Sequence, residues 1–179
     1  MGKLPVPMPP PGEMLQRRKS EIRKHRRIRR LCLLAAAFWI LFSQVLLFHP
    51  YQGIGMYPSL RDGDLVLANR IWPEYEKGDL VVYRLNGQLC LGRIGAVAKD
   101  AVMMDDSGAL LVNGSIQNAH VLFPTYARAD SSYPVQVPEG MVFLLGDHRT
   151  KCSDSRDHGC VALEDLLGKV IAVLRVGEL

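Results

Sequence analysis

Residues 31–48, LCLLAAAFWILFSQVLLF, form eighteen consecutive positions without a charge. As a helix rising 1.5 Å per residue they reach about 27 Å, close to the roughly 30 Å hydrocarbon core of a bilayer. Ser43 and Gln44 are the only clearly polar residues in the run. A cleaved signal peptide has a shorter apolar stretch followed by a small-x-small site, whereas His49-Pro50-Tyr51 follow here. A core helix of a soluble domain would show polar residues at helical spacing, and this run is apolar all round. The run is therefore read as a single membrane-spanning helix. Nine Lys/Arg crowd residues 17–30 just before it, and none lies between 49 and 54. By the positive-inside rule the N-terminus is expected in the cytoplasm and residues from about 50 onward outside.

The same asymmetry explains the net charge of +4 over 179 residues. Residues 1–30 hold ten of the 22 Lys/Arg and two of the 18 Asp/Glu, so the rest of the chain is mildly acidic. Nucleic-acid binding is the rival reading of the basic run. No interleaved aromatics or binding motif support it, and no nucleic-acid partner is expected. Residues 1–12, with prolines at 5, 7, 9, 10 and 11, read as an extended cytoplasmic tail. Of the four cysteines, Cys32 falls in the span, while Cys90, Cys152 and Cys160 fall outside, where disulfides persist. An odd number there leaves at least one unpaired or paired between chains.

Beyond residue 51 strand signals dominate. DLVLANRI, DLVVYRL, QLCLGRIGAV and MVFLLGD are short runs rich in Val, Ile, Leu and Tyr, bounded by Gly, Asp, Asn or Pro. Asn113-Gly114 between two apolar runs signals a hairpin. Near the C-terminus a short helical turn at 162–167 leads into a closing strand. The expected order is a cytoplasmic tail (1–30), a transmembrane helix (31–48) and a mostly antiparallel β domain (49–179). Residues 115–138, with prolines at 124, 134 and 138, look irregular.

Six patterns then recur in one order: GIGMYPSLRDGDLVLANR at 53–70, KGDLVVYR at 77–84, LGRIGAV at 91–97, LLVNG at 110–114, VPEGMVFLLGDHRTKCSDSRDHG at 137–159 and LLGKVIAVL at 166–174. Together they resemble the type I signal peptidase family, membrane-anchored serine proteases that remove signal peptides from exported proteins. The resemblance covers residues 31–179. It implies an antiparallel barrel-like β fold with residues 105–138 as a reduced cap, and it implies no cofactor. The family cuts with a serine nucleophile and a lysine base whose pKa burial lowers. Laid on this chain, Met56, Pro58, Ser59 and Leu60 match the nucleophile box, and the nucleophile falls on Gly55. The accessory oxyanion hydroxyl falls on Gly53. Arg93 matches the lysine box, and the lysine falls on Gly92. The serine that commonly bonds the lysine falls on Cys152. Gly53, Ile54, Met56, Cys90 and Cys152 are thereby expected along the peptide groove and oxyanion region, with Arg93, Asp147, Asp154, Ser155 and Arg156 as a structural box.

Glycine supplies neither an oxygen to acylate nor an amine to take a proton, so the resemblance implies a catalytically inactive homologue. Such a protein would bind an extended peptide or an assembly partner at the membrane surface. The resemblance supplies one setting, the degenerate homologues of some Gram-positive bacteria that assist pilus assembly. The competing expectation is an active peptidase using another nucleophile, with the thiols of Cys90 and Cys152 and the nearby His148 as material. The bland readings of these thiols are a core hydrophobe for Cys90 and a Cys152–Cys160 disulfide. His120, His148 and His158 lack metal-ligand spacing, so no metal site is expected.

Overall fold

The computed structural model describes residues 11–71, 73–117, 123–128 and 132–175. The chain divides into two compact units, residues 1–43 and 44–179. Helix α1, Pro11–Val45, runs through both the basic and the apolar segments. Within it, the 22 residues Lys24–Val45 are long and apolar enough to cross a membrane. Pro11 opens the helix, where a missing N–H is no loss. Residues 11 and 12 are thus helical rather than part of an extended tail, and residues 1–10 lie outside the described ones. The helix also ends three residues short of the expected span. Leu46–Phe48 belong instead to strand β1, Leu46–Pro50, held in register against Leu67–Asn69 of β2, Leu65–Asn69.

The second unit is mostly β and antiparallel throughout, as the sequence leads one to expect. The further strands are β3 (Leu80–Leu85), β4 (Gln88–Ala96), β5 (Ala101–Met104), β6 (Leu110–Val112), β7 (Ser115–Ile116), β8 (Val135–Gln136) and β9 (Met141–Leu145). A one-turn helix α2 (Ser155–His158), β10 (Val161–Ala162), a 3-10 turn at Leu163–Asp165 and β11 (Leu166–Leu174) complete it. Seven strands make one sheet in the order β1-β2-β11-β3-β4-β9-β10, and four make a second in the order β7-β6-β5-β8. The hairpin expected at Asn113-Gly114 joins β6 to β7, and Asn86-Gly87 joins β3 to β4. All four turn residues have positive φ, between 50° and 81°, as a two-residue turn matched to strand twist requires. Residues 115–138, expected to be irregular, therefore contribute two short strands, β7 and β8, and the sheet of the expected cap begins earlier, at β5.

Period-two alternation decides the cores. Val66 and Ala68 of β2 turn inward with Met56, Leu60 and Leu91. Val81 and Tyr83 of β3 turn to the other side, with Ile94, Val142 and Leu144. A third cluster joins the two sheets through Ala96, Val102, Val112, Phe143 and Leu145. Strand β4 is paired unevenly on its two sides. Its residues Gln88–Arg93 all face partners on β3, but β9 reaches only Arg93, Ile94 and Ala96. Among the described residues, no strand pairs with the outer side of Gln88–Gly92.

Candidate functional site

The stretch GIGMYPSLRDGD is a loop closed by its own ends. Tyr51 N–H donates to the Asp64 carbonyl at 2.7 Å, and Gly63 N–H donates to the Tyr51 carbonyl at 3.0 Å. Two acidic side chains hold the inside: Asp62 Oδ1 accepts from Gly53 N–H at 2.6 Å and Asp64 Oδ2 from Arg61 N–H at 2.8 Å. Gly53 sits at φ +104°, a backbone region that L side chains rarely adopt. Met56 and Leu60 lock the loop down, 1% and 0% exposed in the core. Tyr51 is also buried, and its phenol oxygen accepts from Met56 N–H at 2.9 Å.

A second loop, 146–159, is braced by ion pairs. Arg93 holds Asp147 with two hydrogen bonds of 2.7 Å, donates to Ser59 Oγ at 3.0 Å and to the Gly78 carbonyl at 2.7 Å. Arg156 and Asp154 form a buried pair that joins Nε to Oδ1 and Nη2 to Oδ2, each at 2.8 Å. Asp154 also caps α2 through Arg156 N–H and accepts from Gly146 N–H, while Ser155 Oγ accepts from Leu144 N–H. These bonds tie the loop to the end of β9. His148 N–H then donates to the Gly55 carbonyl at 2.9 Å, joining the two loops. The His148 ring stacks on Phe123 and turns its Nδ1 to Thr150.

Where the loops meet, a cleft of about 620 Å³ opens, bounded by Tyr51, Gly55, Tyr83, Cys90, Lys151 and Cys152, among others. Gly55 faces it without a side chain. A Cβ there would stand 3.1 Å from Cys152 Sγ and 3.7 Å from the Tyr51 hydroxyl. Cys152 reaches this place because residue 146 is glycine: a Cβ on Gly146 would lie 2.2 Å from the same sulfur. Gly92 lies one layer deeper. A Cβ on it would meet Tyr83 Cε1 at 3.3 Å and Leu144 Cβ at 3.4 Å. Tyr83 is 2% exposed, and its ring edge stands close against Gly92.

The acid–base character of the cleft follows from burial. Desolvation, reinforced by the Asp154 carboxylate, pushes the Cys152 thiol up to about 11. Burial likewise raises Cys90, and it raises Tyr83 strongly. All four cysteines are free thiols. Cys152 points at Gly55 and Gly146, and Cys160 packs against the third core cluster, so the two do not form the expected clamp. Among the described residues no cluster has a metal-binding composition. His120 lies outside the described residues.

The signal peptidase, peptidase S26 family model matches residues 25–175. The chain belongs to that family. Among curated relatives, it is 29% identical to signal peptidase I T of Bacillus subtilis over 155 residues, 76% of this chain and 78% of the relative. It is 31% identical over 133 residues to thylakoidal processing peptidase 1 of Arabidopsis thaliana, 65% of this chain. It spans only 38% of that relative's length, and 34% of the length of thylakoidal processing peptidase 2. A crystal structure of a signal peptidase I from Enterococcus faecalis is 26% identical, with a TM-score of 0.46, over 56% of this chain and 98% of that one. Family membership and the apolar N-terminal helix together point to a membrane-anchored protein.

Seen as a signal peptidase homologue, the chain brings some expected site residues together and separates others. Gly55, Cys90 and Cys152 border one cleft, with Gly92 behind Tyr83. Met56 does not line a groove; its side chain is a core anchor, because the turn from Met56 to Leu60 puts both side chains on the buried side. Ile54 is half exposed and, with Gly53, lies outside the cleft lining. Arg93, Asp147, Asp154, Ser155 and Arg156 lie behind the cleft, in the bracing of the second loop. The sequence reading missed Tyr51, Tyr83 and Lys151. The period-two rule was available for Tyr83, which pairs with Cys90 across β3 and β4. Nothing local in the sequence marked Tyr51 as the partner of the loop amides.

Proposed function

We propose that this protein is a signal peptidase homologue without peptidase activity, which binds an extended peptide or an assembly partner at the outer face of the cytoplasmic membrane. The positively charged flank of the helix supports that orientation, with the N-terminus inside. The observation that carries the reading is the lack of a side chain at both positions where the family resemblance puts the dyad, each with another side chain close against it. Cys152 Sγ stands 3.1 Å from a Cβ placed on Gly55, and the Tyr83 ring edge stands 3.3 Å from one placed on Gly92. Removing either member of a nucleophile–base unit costs nearly as much as removing both.

Binding survives this loss. Among the described residues no strand pairs with the outer side of Gln88–Gly92, and Gln88–Leu91 line the cleft. An extended peptide adds to such an edge through main-chain hydrogen bonds, which need no catalytic side chain. Assistance to pilus assembly is the setting that family analogy supplies, with a pilin or another part of the assembly machinery as the occupant.

A second reading, cleavage by a thiol, takes support from the position of Cys152 at the vacated nucleophile. A thiol held near 11 is almost wholly protonated at neutral pH, and the charged groups acting on it are Asp154, Arg156, Asp157 and Asp147 rather than a histidine. Ser59 is no better placed, since its hydroxyl is held by Arg93.

Two experiments test the proposal. A photoreactive residue at position 55 in cells is expected to capture a partner in the cleft, and capture of nothing above background counts against peptide binding. The purified protein incubated with a preprotein is expected to yield no new N-terminus. Cleavage that disappears on changing Cys90 or Cys152 would overturn the inactive reading.

A further inference from the structure

A second, smaller cavity of about 130 Å³ lies apart from the cleft, with Lys77, Arg93, Gln117 and Arg149 as its polar walls and Ile94 and Leu110 as apolar ones. Its cations are not equally provided for. Arg93 has both oxygens of Asp147, and Lys77 has Asp100 at 3.3 Å. Arg149 is 5% exposed and makes no ion pair among the described residues. Its Nη1 donates to Thr125 Oγ1 at 2.9 Å, and Thr125 is itself buried. The Nε of Arg149 is buried with no hydrogen-bond partner.

The nearby carboxylates cannot answer this charge, because each is already engaged. Asp147 is taken by Arg93 and Asp154 by Arg156, so three buried or half-buried guanidiniums share two carboxylates. A guanidinium taken from water without a counter-charge is among the costliest arrangements a fold can keep. Burial accordingly draws the Arg149 guanidinium down to about 10. The guanidinium itself borders the cavity and is a planar fork that matches a carboxylate. Ile94 and Leu110 offer an apolar wall to a short hydrocarbon chain, which a bare inorganic ion would not use.

We propose that this cavity binds a small organic carboxylate, with the Arg149 guanidinium as its chief donor and Lys77 and Gln117 completing the polar wall. The site does not involve Gly55 or Cys152, so it stands or falls independently of the peptide cleft.

The test uses the full chain in detergent micelles, titrated with propionate at constant ionic strength made up with chloride. Ligand NMR by saturation transfer and the melting temperature are read together. Saturable binding is expected in the millimolar range, with a rise in melting temperature that chloride and inorganic phosphate do not reproduce. In Arg149→Met the affinity is expected to fall at least tenfold, and in Lys77→Ala several-fold. Absence of saturable binding to the unaltered protein overturns the proposal. So does an affinity unchanged in Arg149→Met, or in Lys77→Ala should the first variant not fold. Phosphate binding more tightly than propionate would overturn the choice of carboxylate.

Discussion

The cleft and the bracing behind it are made from adjacent stretches of the same chain, yet they treat polar groups in opposite ways. Behind the cleft, Asp154, Ser155 and Arg156 are all at most 4% exposed, and each makes short, directed hydrogen bonds. In the cleft, Gly55 carries no side chain, Gly92 lies behind Tyr83, and the groups beside them are thiols and a phenol that burial keeps protonated. The bracing fixes two loops and a strand end. Its geometry has value for any ligand that lies along β4, whether or not the ligand is cut. A nucleophile and a base have value only for cutting. The contrast is that of loops held by buried paired charges and a cleft in which Gly55 carries no side chain.

The largest expected effect breaks the rigid side of this comparison. Replacing Asp154 by Ala leaves Arg156 buried without its carboxylate and removes the cap of α2. Loss of one partner of a buried pair typically costs about 3–5 kcal/mol. A comparable loss of stability is expected by chemical denaturation, together with loss of peptide capture at position 55.

The cleft side is broken more gently. Gly146→Ala drives a methyl group into Cys152 Sγ and within 2.9 Å of the Gly55 carbonyl, a cost of about 1–3 kcal/mol by overpacking. Because Cys152 Cβ would also lie only 2.3 Å away, Cys152→Gly should relieve much of this and Cys152→Ser should not. A double-mutant cycle on melting temperature reads the difference.

Restoring the reactive groups sharpens the comparison. Gly55→Ser with Gly92→Lys is expected to give no detectable cleavage of a preprotein, because Cys152 and Tyr83 still occupy the space. Adding Cys152→Ser and Tyr83→Val is the combination in which cleavage, if the groove is otherwise sound, should first be seen by N-terminal sequencing.

The smallest effect is a pH dependence. The folded Cys152 thiol titrates near 11, above its ordinary value, because burial disfavours the thiolate. The folded state therefore holds this proton more tightly than the unfolded chain, so the contribution is complete below about pH 9 and is lost as pH rises through 11. Stability measured in that window should fall less steeply in Cys152→Ala. At pH 8, alkylation of Cys152 should run about a hundredfold slower than that of a free thiol, by its smaller thiolate fraction.

What the sequence disclosed and what it hid divide along a physical line. Strand identities and the Asn113-Gly114 hairpin were legible, because alternation and left-handed turn chemistry are local properties. The end of α1 was not: Leu46–Phe48 are as apolar as the span before them, and only pairing with β2 makes them strand. Nor was the fate of Met56, whose inward turn depends on a loop closed by Asp62 and Asp64. Nor was the part played by Tyr51, whose phenol oxygen accepts from Met56 N–H across a turn that no sequence spacing marks.

The placement of Cys152 has a consequence for chemical intervention. Reagents that find proteases by acylating a serine have nothing to react with at Gly55. A fragment carried in as a disulfide, exchanged slowly onto the Cys152 sulfur with release of its other half as a thiol, would instead be anchored in the cleft itself. The residue that stands against Gly55 is thus the one through which a tethered ligand could be made to occupy the cleft.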